Sequence, residues 1–170
     1  MKALAEMVFI SEIVLQSKIA KLSAKRLPTT YDNFDRIEVW CSIQSILVAA
    51  ANVSKILWPP NKKYAARGKK LRELLNISND NILHNRDLRN HFEHYDERIE
   101  DWFKGKSSAV YSDLEINPFK SIWGNIPTNK HRSYNPLTKT LSFRNESFNL
   151  AAVLNELEDI RMKCRPFVLP

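Results

Sequence analysis

One short segment of the chain combines side chains that suit acid–base chemistry on an anionic substrate. Residues 89–94 read Arg-Asn-His-Phe-Glu-His. The imidazole of a histidine exchanges protons near neutral pH, so it can act as a general acid or a general base. A guanidinium stays charged and offers fixed donors to an anion, and a carboxamide can orient either group without titrating. Arg89, Asn90 and His94 are therefore the candidate catalytic residues.

The segment lies on a predicted fourth helix that has a clear apolar stripe. The stripe residues are spaced by four, three, four and three: Leu88, Phe92, Tyr95, Ile99 and Trp102. At about 100° per residue, Asn90 and His94 project together on the side away from this stripe, and Arg89 lies at its flank. The polar groups thus gather where packing does not require them.

A second frame with the same Arg-to-His spacing overlaps the first. It consists of Arg86 and His91, with Asp87 in the second position. We prefer the first frame because Asn90 and His94 are four residues apart and share a helix face, whereas His91 lies closer to the apolar stripe. Arg86 remains a candidate for substrate binding.

The Arg-polar-x-x-x-His pattern on a late helix resembles the defining element of the HEPN superfamily. The six-residue element is the specific part of the resemblance, and residues 1–104 with the last helix match the helical scaffold only loosely. The resemblance implies a mainly α fold, an antiparallel helical bundle with a small loop or β-hairpin insert before the last helix. It also implies a homodimer in which the motif helices of two subunits face each other. Arg89, Asn90 and His94 of both protomers would then form one composite site.

The same resemblance implies a metal-independent endoribonuclease that needs no cofactor. When RNA is cut by its own 2′-hydroxyl, one proton leaves that oxygen and another reaches the leaving 5′-oxygen, which is a task for His94. Arg89 would hold the charge that develops on the phosphoryl oxygens, and Asn90 would orient the two groups. Unpaired RNA is the expected substrate, because its backbone can bend into a narrow groove.

Nucleases of this type resemble toxins or antiviral defence effectors, so an antitoxin or another regulatory protein is an expected partner. In one toxin branch of the superfamily a tyrosine stands two places after the histidine. Asp96 occupies that place here, which argues against that branch and against its modification by a nucleotidyltransferase antitoxin.

Three other readings of the segment stay open. The first is an ordinary helix surface, on which Arg89, Glu93 and Glu97 form weak ion pairs and His94 is merely exposed. The second is a metal site on His91 and His94, although their three-residue spacing lacks the pattern of zinc proteases. The third is a noncatalytic dimeric binding module for nucleic acid or a protein partner.

Basic residues are concentrated in one part of a chain whose net charge is +7. The stretch 55–72 holds no acidic residue and contains Lys55, Lys62, Lys63, Arg67, Lys69, Lys70 and Arg72. Such a run can follow a phosphate backbone, so Lys69, Lys70 and Arg72 join Arg86 as candidate substrate-binding residues. The alternative is a solvated loop and helix start that serves solubility.

Hydrophobic periodicity predicts the elements that would position the segment. In the first 25 residues, an amphipathic helix is predicted to pack through Leu4, Val8, Leu15, Ile19 and Leu22. Asp32 or Asn33 is predicted to cap a second helix, which Trp58-Pro59-Pro60 ends. Its packed face is predicted to consist of Ile37, Trp40, Cys41, Gln44, Leu47, Ala51 and Lys55.

The rest of the chain is predicted to complete a single domain over residues 1–170. A short helix contains Leu71, Leu74 and Leu75, and the stretch 78–80 is predicted to cap the fourth helix. Residues 105–145 read as a loop-rich insert with a small hairpin, and a closing helix ends before Pro166.

Composition indicates a cytoplasmic protein. The chain is 44% hydrophobic and 26% charged, and it has no uninterrupted run of about 18 apolar residues, so no membrane span is expected. Glu6, Ser11 and Glu12 interrupt the apolar stretch at the N-terminus, so no signal peptide is expected. Cys41 and Cys164 lack metal-ligand spacing and are predicted to be reduced, buried thiols.

Overall fold

A computed structural model describes residues 3–28, 34–85, 95–105, 111–116, 129–143 and 146–168. Over these residues the protein is mainly helical with a small four-stranded sheet, which confirms the predicted mainly α class. The helices are α1 (Ala3–Ala24), α2 (Arg36–Leu57), α3 (Ala65–Leu74), α4 (Tyr95–Gly105) and α5 (Leu150–Cys164). Three single turns of 3-10 helix lie at Lys62–Tyr64, Ile82–His84 and Arg165–Phe167.

The two longest helices, α1 and α2, pack side by side and run antiparallel. The side chain of Arg67 lies over the ring of Phe9 and donates to the carbonyl oxygen of Lys55, which places the beginning of α1 beside the end of α2. Further along, Asn52 Nδ2 donates to Gln16 Oε1 over 3.3 Å. Helix α5 packs against the same pair, so the three helices form the body of the bundle.

The face of α1 that packs into the core is not the predicted one. All five predicted core residues are exposed: Leu4, Val8, Leu15, Ile19 and Leu22. The buried face consists instead of Ile10, Ile13, Ser17, Ala20 and Ser23. Ser17 Oγ donates to the carbonyl oxygen of Ile13 over 2.8 Å, so this hydroxyl is satisfied within the helix and can be buried at little cost.

Helix α2 begins at a different cap from the one predicted. Asp35 Oδ1 accepts hydrogen bonds from the backbone N–H groups of Ile37 and Glu38, at 2.7 and 3.2 Å. The predicted caps, Asp32 and Asn33, lie outside the described residues. The helix ends at Leu57, as the following Trp-Pro-Pro sequence predicts.

The packed face of α2 is rotated from the predicted one. Trp40 and Leu47 are buried as expected, whereas Ile37, Cys41 and Gln44 are exposed. Helix α2 is long and apolar enough to cross a membrane by length and composition, but 56% of its most apolar window is buried inside the protein. Core helices of globular proteins share this property.

The expected cap at 78–80 does not start a long helix. The backbone N–H of Asp80 donates to Ser78 Oγ over 3.2 Å, and the described chain that follows, up to Asn85, makes one 3-10 turn at Ile82–His84. Asn81 caps this turn, because its Oδ1 accepts from the backbone N–H of Leu83 over 2.9 Å. Asn85 is extended, and the next described residues begin α4 at Tyr95.

Between α4 and α5 along the chain, the protein forms a four-stranded sheet, which has more strands than the predicted hairpin. Its strands, in spatial order, are β2 (Glu115–Ile116), β4 (Arg132–Asn135), β5 (Thr140–Phe143) and β6 (Glu146–Asn149). The pairing of β2 with β4 is parallel, and the other two pairings are antiparallel. Two further short strands, β1 (Tyr111–Ser112) and β3 (Asn129–Lys130), pair in parallel.

The sheet and α5 close the core as one unit. Tyr134, Leu141 and Phe143 point inward from the sheet, and the inward face of α5 consists of Leu150, Val153, Leu157, Ile160 and Cys164. Burial raises the pKa of the Cys164 thiol to about 12, so this cysteine is an inert core residue as predicted. Cys41, by contrast, is exposed, and the prediction of a second buried thiol is wrong.

Candidate nucleic-acid interface

The catalytic candidates Arg89, Asn90 and His94 lie outside the described residues, together with Arg86 and His91 of the second frame. The chain on both sides of the segment is described. The 3-10 turn Ile82–His84 precedes the segment in the sequence, and α4 follows it.

Where the chain enters the segment, it is held by an aromatic stack. The imidazole of His84 stacks on the indole of Trp58, with ring centroids 5.2 Å apart and planes inclined by 16°. His84 Nδ1 also lies 3.0 Å from the carbonyl oxygen of Asn79. The same turn is capped by Asn81, whose Nδ2 donates to Glu156 Oε1 over 2.5 Å. This hydrogen bond ties the turn to α5.

Arg72 contacts the same tryptophan. Its guanidinium carbon lies 5.5 Å from the centre of the Trp58 ring, and its Nη1 donates to the carbonyl oxygen of Leu57 at the end of α2. Burial lowers the pKa of Arg72, and the charge of Glu73 partly offsets this. A guanidinium nevertheless remains a cation at neutral pH. Arg72 thus links α3 to the end of α2 and sets a positive charge beside the stack.

The two other described substrate-binding candidates sit on the solvent side of α3. Lys69 Nζ lies 3.7 Å from Glu73 Oε1, and both side chains are largely exposed. Lys70 forms an ion pair with Glu6 of α1. An exposed pair such as Lys69 with Glu73 is weak, so Lys69 can exchange its partner for a phosphate at small cost. The carboxylate of Glu6 is more covered, so Lys70 is held more firmly.

An exposed aromatic side chain within the basic run was not singled out from the sequence. Tyr64 is 45% exposed and stands between two cations: Lys63 Nζ lies 5.7 Å from its ring centre, and the Arg67 guanidinium lies 5.4 Å away. An aromatic ring flanked by cations can stack an unpaired base while the cations hold its phosphates. The signal in the sequence was the tyrosine that directly follows Lys62 and Lys63.

A second polar cluster fixes the sheet to α2. Arg132 Nε and Nη2 donate to the two carboxylate oxygens of Asp113, at 2.8 and 2.5 Å, and the guanidinium lies over the ring of Trp40. Trp40 Nε1 donates in turn to the carbonyl oxygen of Leu114 over 3.0 Å. Burial is the largest single influence on the pKa of Asp113 and would raise it. The hydrogen bonds and charge of Arg132, the backbone N–H of Leu114 and the charge of His131 act together in the other direction and hold that pKa below its usual value. His131, which is buried, lies 4.0 Å from the same carboxylate.

The described residues contain no group of three or more histidine, cysteine, aspartate or glutamate side chains placed to hold a metal ion.

Comparisons of the chain with protein-family models, with curated proteins and with solved structures give no match.

Proposed function

We propose that this protein is a metal-independent endoribonuclease of the HEPN type, which cuts unpaired RNA by attack of its own 2′-hydroxyl. The observation that carries the proposal is the Arg-Asn-x-x-x-His spacing of Arg89, Asn90 and His94. The proposed site is composite and lies between two copies of the chain. In the cell we place it in the cytoplasm as a toxin or defence effector, restrained by an antitoxin or other regulatory protein.

The surroundings of the segment support this proposal. His84 precedes Arg89 by five residues, so their Cα atoms are at most about 19 Å apart. His84 stacks on Trp58, and the cationic Arg72 of α3 contacts the same ring. Helix α3 also carries Lys69 and Lys70. The basic helix is therefore within reach of any RNA strand that enters at the segment, where it would raise the local concentration of a polyanion.

In the proposed reaction, His94 transfers protons at the 2′-oxygen and the leaving 5′-oxygen, and Arg89 neutralises the charge on the phosphoryl oxygens. The bond from phosphorus to the 5′-oxygen breaks as the bond to the 2′-oxygen forms, which leaves a 2′,3′-cyclic phosphate and a 5′-hydroxyl. On one helix Arg89 and His94 diverge by about 140°, so the proposal needs the motif of a second subunit to complete the site.

Cleavage of a labelled single-stranded RNA in the presence of a chelator tests the proposal. We expect the wild-type protein to cut, and we expect Arg89→Ala and His94→Ala each to lose at least about 100-fold in rate while the fold is retained, because each removes a group needed in the transition state. His91→Ala is the matched control, since it removes a neighbouring histidine that belongs to the other frame.

Each contrary outcome selects a different reading. Loss of cleavage with the chelator would favour the metal site on His91 and His94. RNA binding by a folded protein that never cuts would favour the noncatalytic binding module. A loss in His91→Ala with full activity in His94→Ala would move the site to the Arg86 frame.

A further inference from the structure

The beginning of α3 gathers positive charge without an acidic residue in its first turn. Asn61 caps the 3-10 turn Lys62–Tyr64, and α3 follows directly at Ala65 with no side chain capping it. The N-terminal end of a helix is positive, so Lys62 and Lys63, which precede it, oppose its dipole. An anion bound at this end would relieve that repulsion.

The two lysines are available to such an anion. Both are exposed, and within the described ranges neither has a carboxylate partner. The carboxylates that contact α3 belong to other lysines, because Glu73 lies near Lys69 and Glu6 of α1 forms an ion pair with Lys70. Lys62 and Lys63 can therefore bind a phosphate without first leaving an ion pair.

Arg67 fixes the aromatic ring that stands beside these lysines. Its guanidinium carbon lies 4.6 Å from the centre of the Phe9 ring and 5.4 Å from that of Tyr64. Its Nη2 donates to the carbonyl oxygen of Lys55 over 3.2 Å, and its Nε is buried without an acceptor in the part of the chain that the structure describes. A guanidinium held in this way is a fixed cation whose charge is incompletely compensated.

Tyr64 presents its ring to solvent at the same place. Its side chain is 45% exposed, and Lys63 Nζ lies 5.7 Å from the ring centre. A contact between an exposed lysine and a ring is weak, so a base can take the place of the ammonium group. Every base has an apolar face, and an exposed ring among cations can therefore stack an unpaired base of any sequence.

We propose that Tyr64, Lys62 and Lys63 form a subsite for one unpaired nucleotide of a strand, with the base stacked on the ring and the phosphate held by the two lysines. No group of this subsite reads a 2′-hydroxyl, because the ring acts on the base and the ammonium groups act on the phosphate. Unpaired DNA is therefore a ligand as well as unpaired RNA. The inference rests on the proposed function in taking a nucleic-acid strand as the ligand, and it goes beyond that function because the proposed reaction cannot cut DNA.

The charge along α3 favours a strand over a free nucleotide. Lys69 and Lys70 lie further along the same helix, so the positive charge extends beyond the place of a single phosphate. A strand neutralises several cations at once and releases the counterions of each phosphate that is bound. A mononucleotide gains only the contacts of one base and one phosphate.

Binding of a short fluorescent oligothymidylate tests the subsite, beside an abasic strand with the same number of phosphates. DNA has no 2′-hydroxyl to attack, so binding is measured without cleavage. We expect the wild type to bind the oligothymidylate at least about tenfold more tightly than the abasic strand, because base stacking adds affinity. Tyr64→Leu should bind both strands equally, at the level of the abasic strand, whereas Tyr64→Phe should keep the preference.

Two further variants separate the ring from the charges. Phe103→Leu is the matched control, because it removes a ring of α4 that is 62% exposed, and it should leave both affinities unchanged. Lys62→Ala combined with Lys63→Ala should weaken the binding of both strands by a similar factor and keep the preference, since both strands carry phosphates.

A 2-aminopurine in the strand gives a second readout, because stacking on a ring quenches its fluorescence. We expect quenching by the wild type, by Tyr64→Phe and by Phe103→Leu, and little quenching by Tyr64→Leu. A purely structural role of Tyr64 would not produce this difference between folded variants.

Three results would overturn the inference. Equal affinity of the wild type for both strands would reduce the surface to a charge attraction that an acidic protein would satisfy equally. An unchanged preference in Tyr64→Leu would place the stacking ring elsewhere. Displacement of the strand by micromolar thymidine monophosphate would make the ligand a free nucleotide.

The same measurements keep this inference apart from the nuclease proposal. RNA cleavage by a protein that does not prefer the oligothymidylate would remove the subsite and leave the nuclease standing. Binding of the oligothymidylate through Tyr64 by a protein that cuts no RNA would support the subsite and remove the nuclease.

Discussion

The imidazole of His84 stacks on the indole of Trp58, and this contact joins the end of α2 to the chain just before the candidate catalytic segment. Trp58 is buried, and the Arg72 guanidinium contacts the same ring. The entry to the segment is thus tied to the helix that carries the basic residues. A change at this stack should affect both stability and any function of the segment.

His84→Ala is expected to lower the free energy of unfolding by about 0.5–1.5 kcal/mol, the usual contribution of a stacked pair of rings. Trp58→Ala should cost about 3–5 kcal/mol, because it also empties a buried site. Denaturant unfolding measures both losses. His84→Phe keeps a ring at the same place and serves as the control. Equal losses for His84→Ala and His84→Phe would contradict a stabilising role for the stack.

Lys62→Ala combined with Lys63→Ala should weaken binding to single-stranded RNA and flatten its salt dependence. Each phosphate contact that is lost should reduce the slope of log affinity against log salt by about 0.7, because fewer counterions are released. Fluorescence anisotropy at several salt concentrations gives this slope. Lys104→Ala, which removes an exposed lysine of α4, is the control. An unchanged slope in the double variant would exclude these lysines from the interface.

Gly68→Ala should destabilise the protein even though alanine is the better helix former. A Cβ at Gly68 would overlap Pro59 Cδ and lie 2.5 Å from the carbonyl oxygen of Leu57. We expect a loss of about 1–3 kcal/mol from overpacking, against the gain of about 1 kcal/mol that an open helix position would give. Thermal unfolding decides the sign. Ala66→Gly, the reverse exchange at an exposed position of the same helix, should cost only about 1 kcal/mol.

The ion pairs of Glu158 should make stability depend on pH in acid. Hydrogen bonds from Arg161, opposed by burial and assisted by Lys21, lower the pKa of Glu158 from 4.5 to about 2. A lowered carboxyl pKa means that the stabilisation is complete above about pH 4.5 and is lost as the pH falls toward 2.

Glu158→Gln should therefore cost up to about 1 kcal/mol at pH 7, because the pair is partly exposed, and nothing near pH 2. Urea unfolding across this pH range measures the difference. Asp159→Asn, at a more exposed carboxylate of the same helix, is the control with a smaller expected loss at pH 7. A difference between wild type and Glu158→Gln that did not change with pH would contradict the assignment.

The sequence predicted the mainly α class, the end of α2 and the closing helix, because proline positions and apolar spacing act locally. It failed on α1. Five large apolar residues at helical spacing predicted one face of α1 as the core face. The face that is buried is a different one with fewer large side chains, which contains Ile10, Ile13 and Ala20. Periodicity detects an apolar face but does not say whether the chain's own core or another molecule covers it.

The surroundings of the candidate site were also only partly predictable. The basic run was visible, but the roles of its members depend on contacts between residues distant in the chain. Arg72 reaches back to Leu57 and Trp58, and Arg67 reaches Phe9. Likewise, the Asp113 and Arg132 pair that anchors the sheet depends on a strand pairing that local propensity does not specify.

The central claim is that His94 transfers protons when RNA is cut at its own 2′-hydroxyl. Its most direct test is to analyse the ends produced from one RNA in chelator, beside the same sequence carrying 2′-O-methyl groups throughout. We predict 2′,3′-cyclic phosphate ends from the RNA, no products from the methylated strand, and no products from either with His94→Ala. Equal cutting of both strands, or unchanged cutting by folded His94→Ala, would contradict the account.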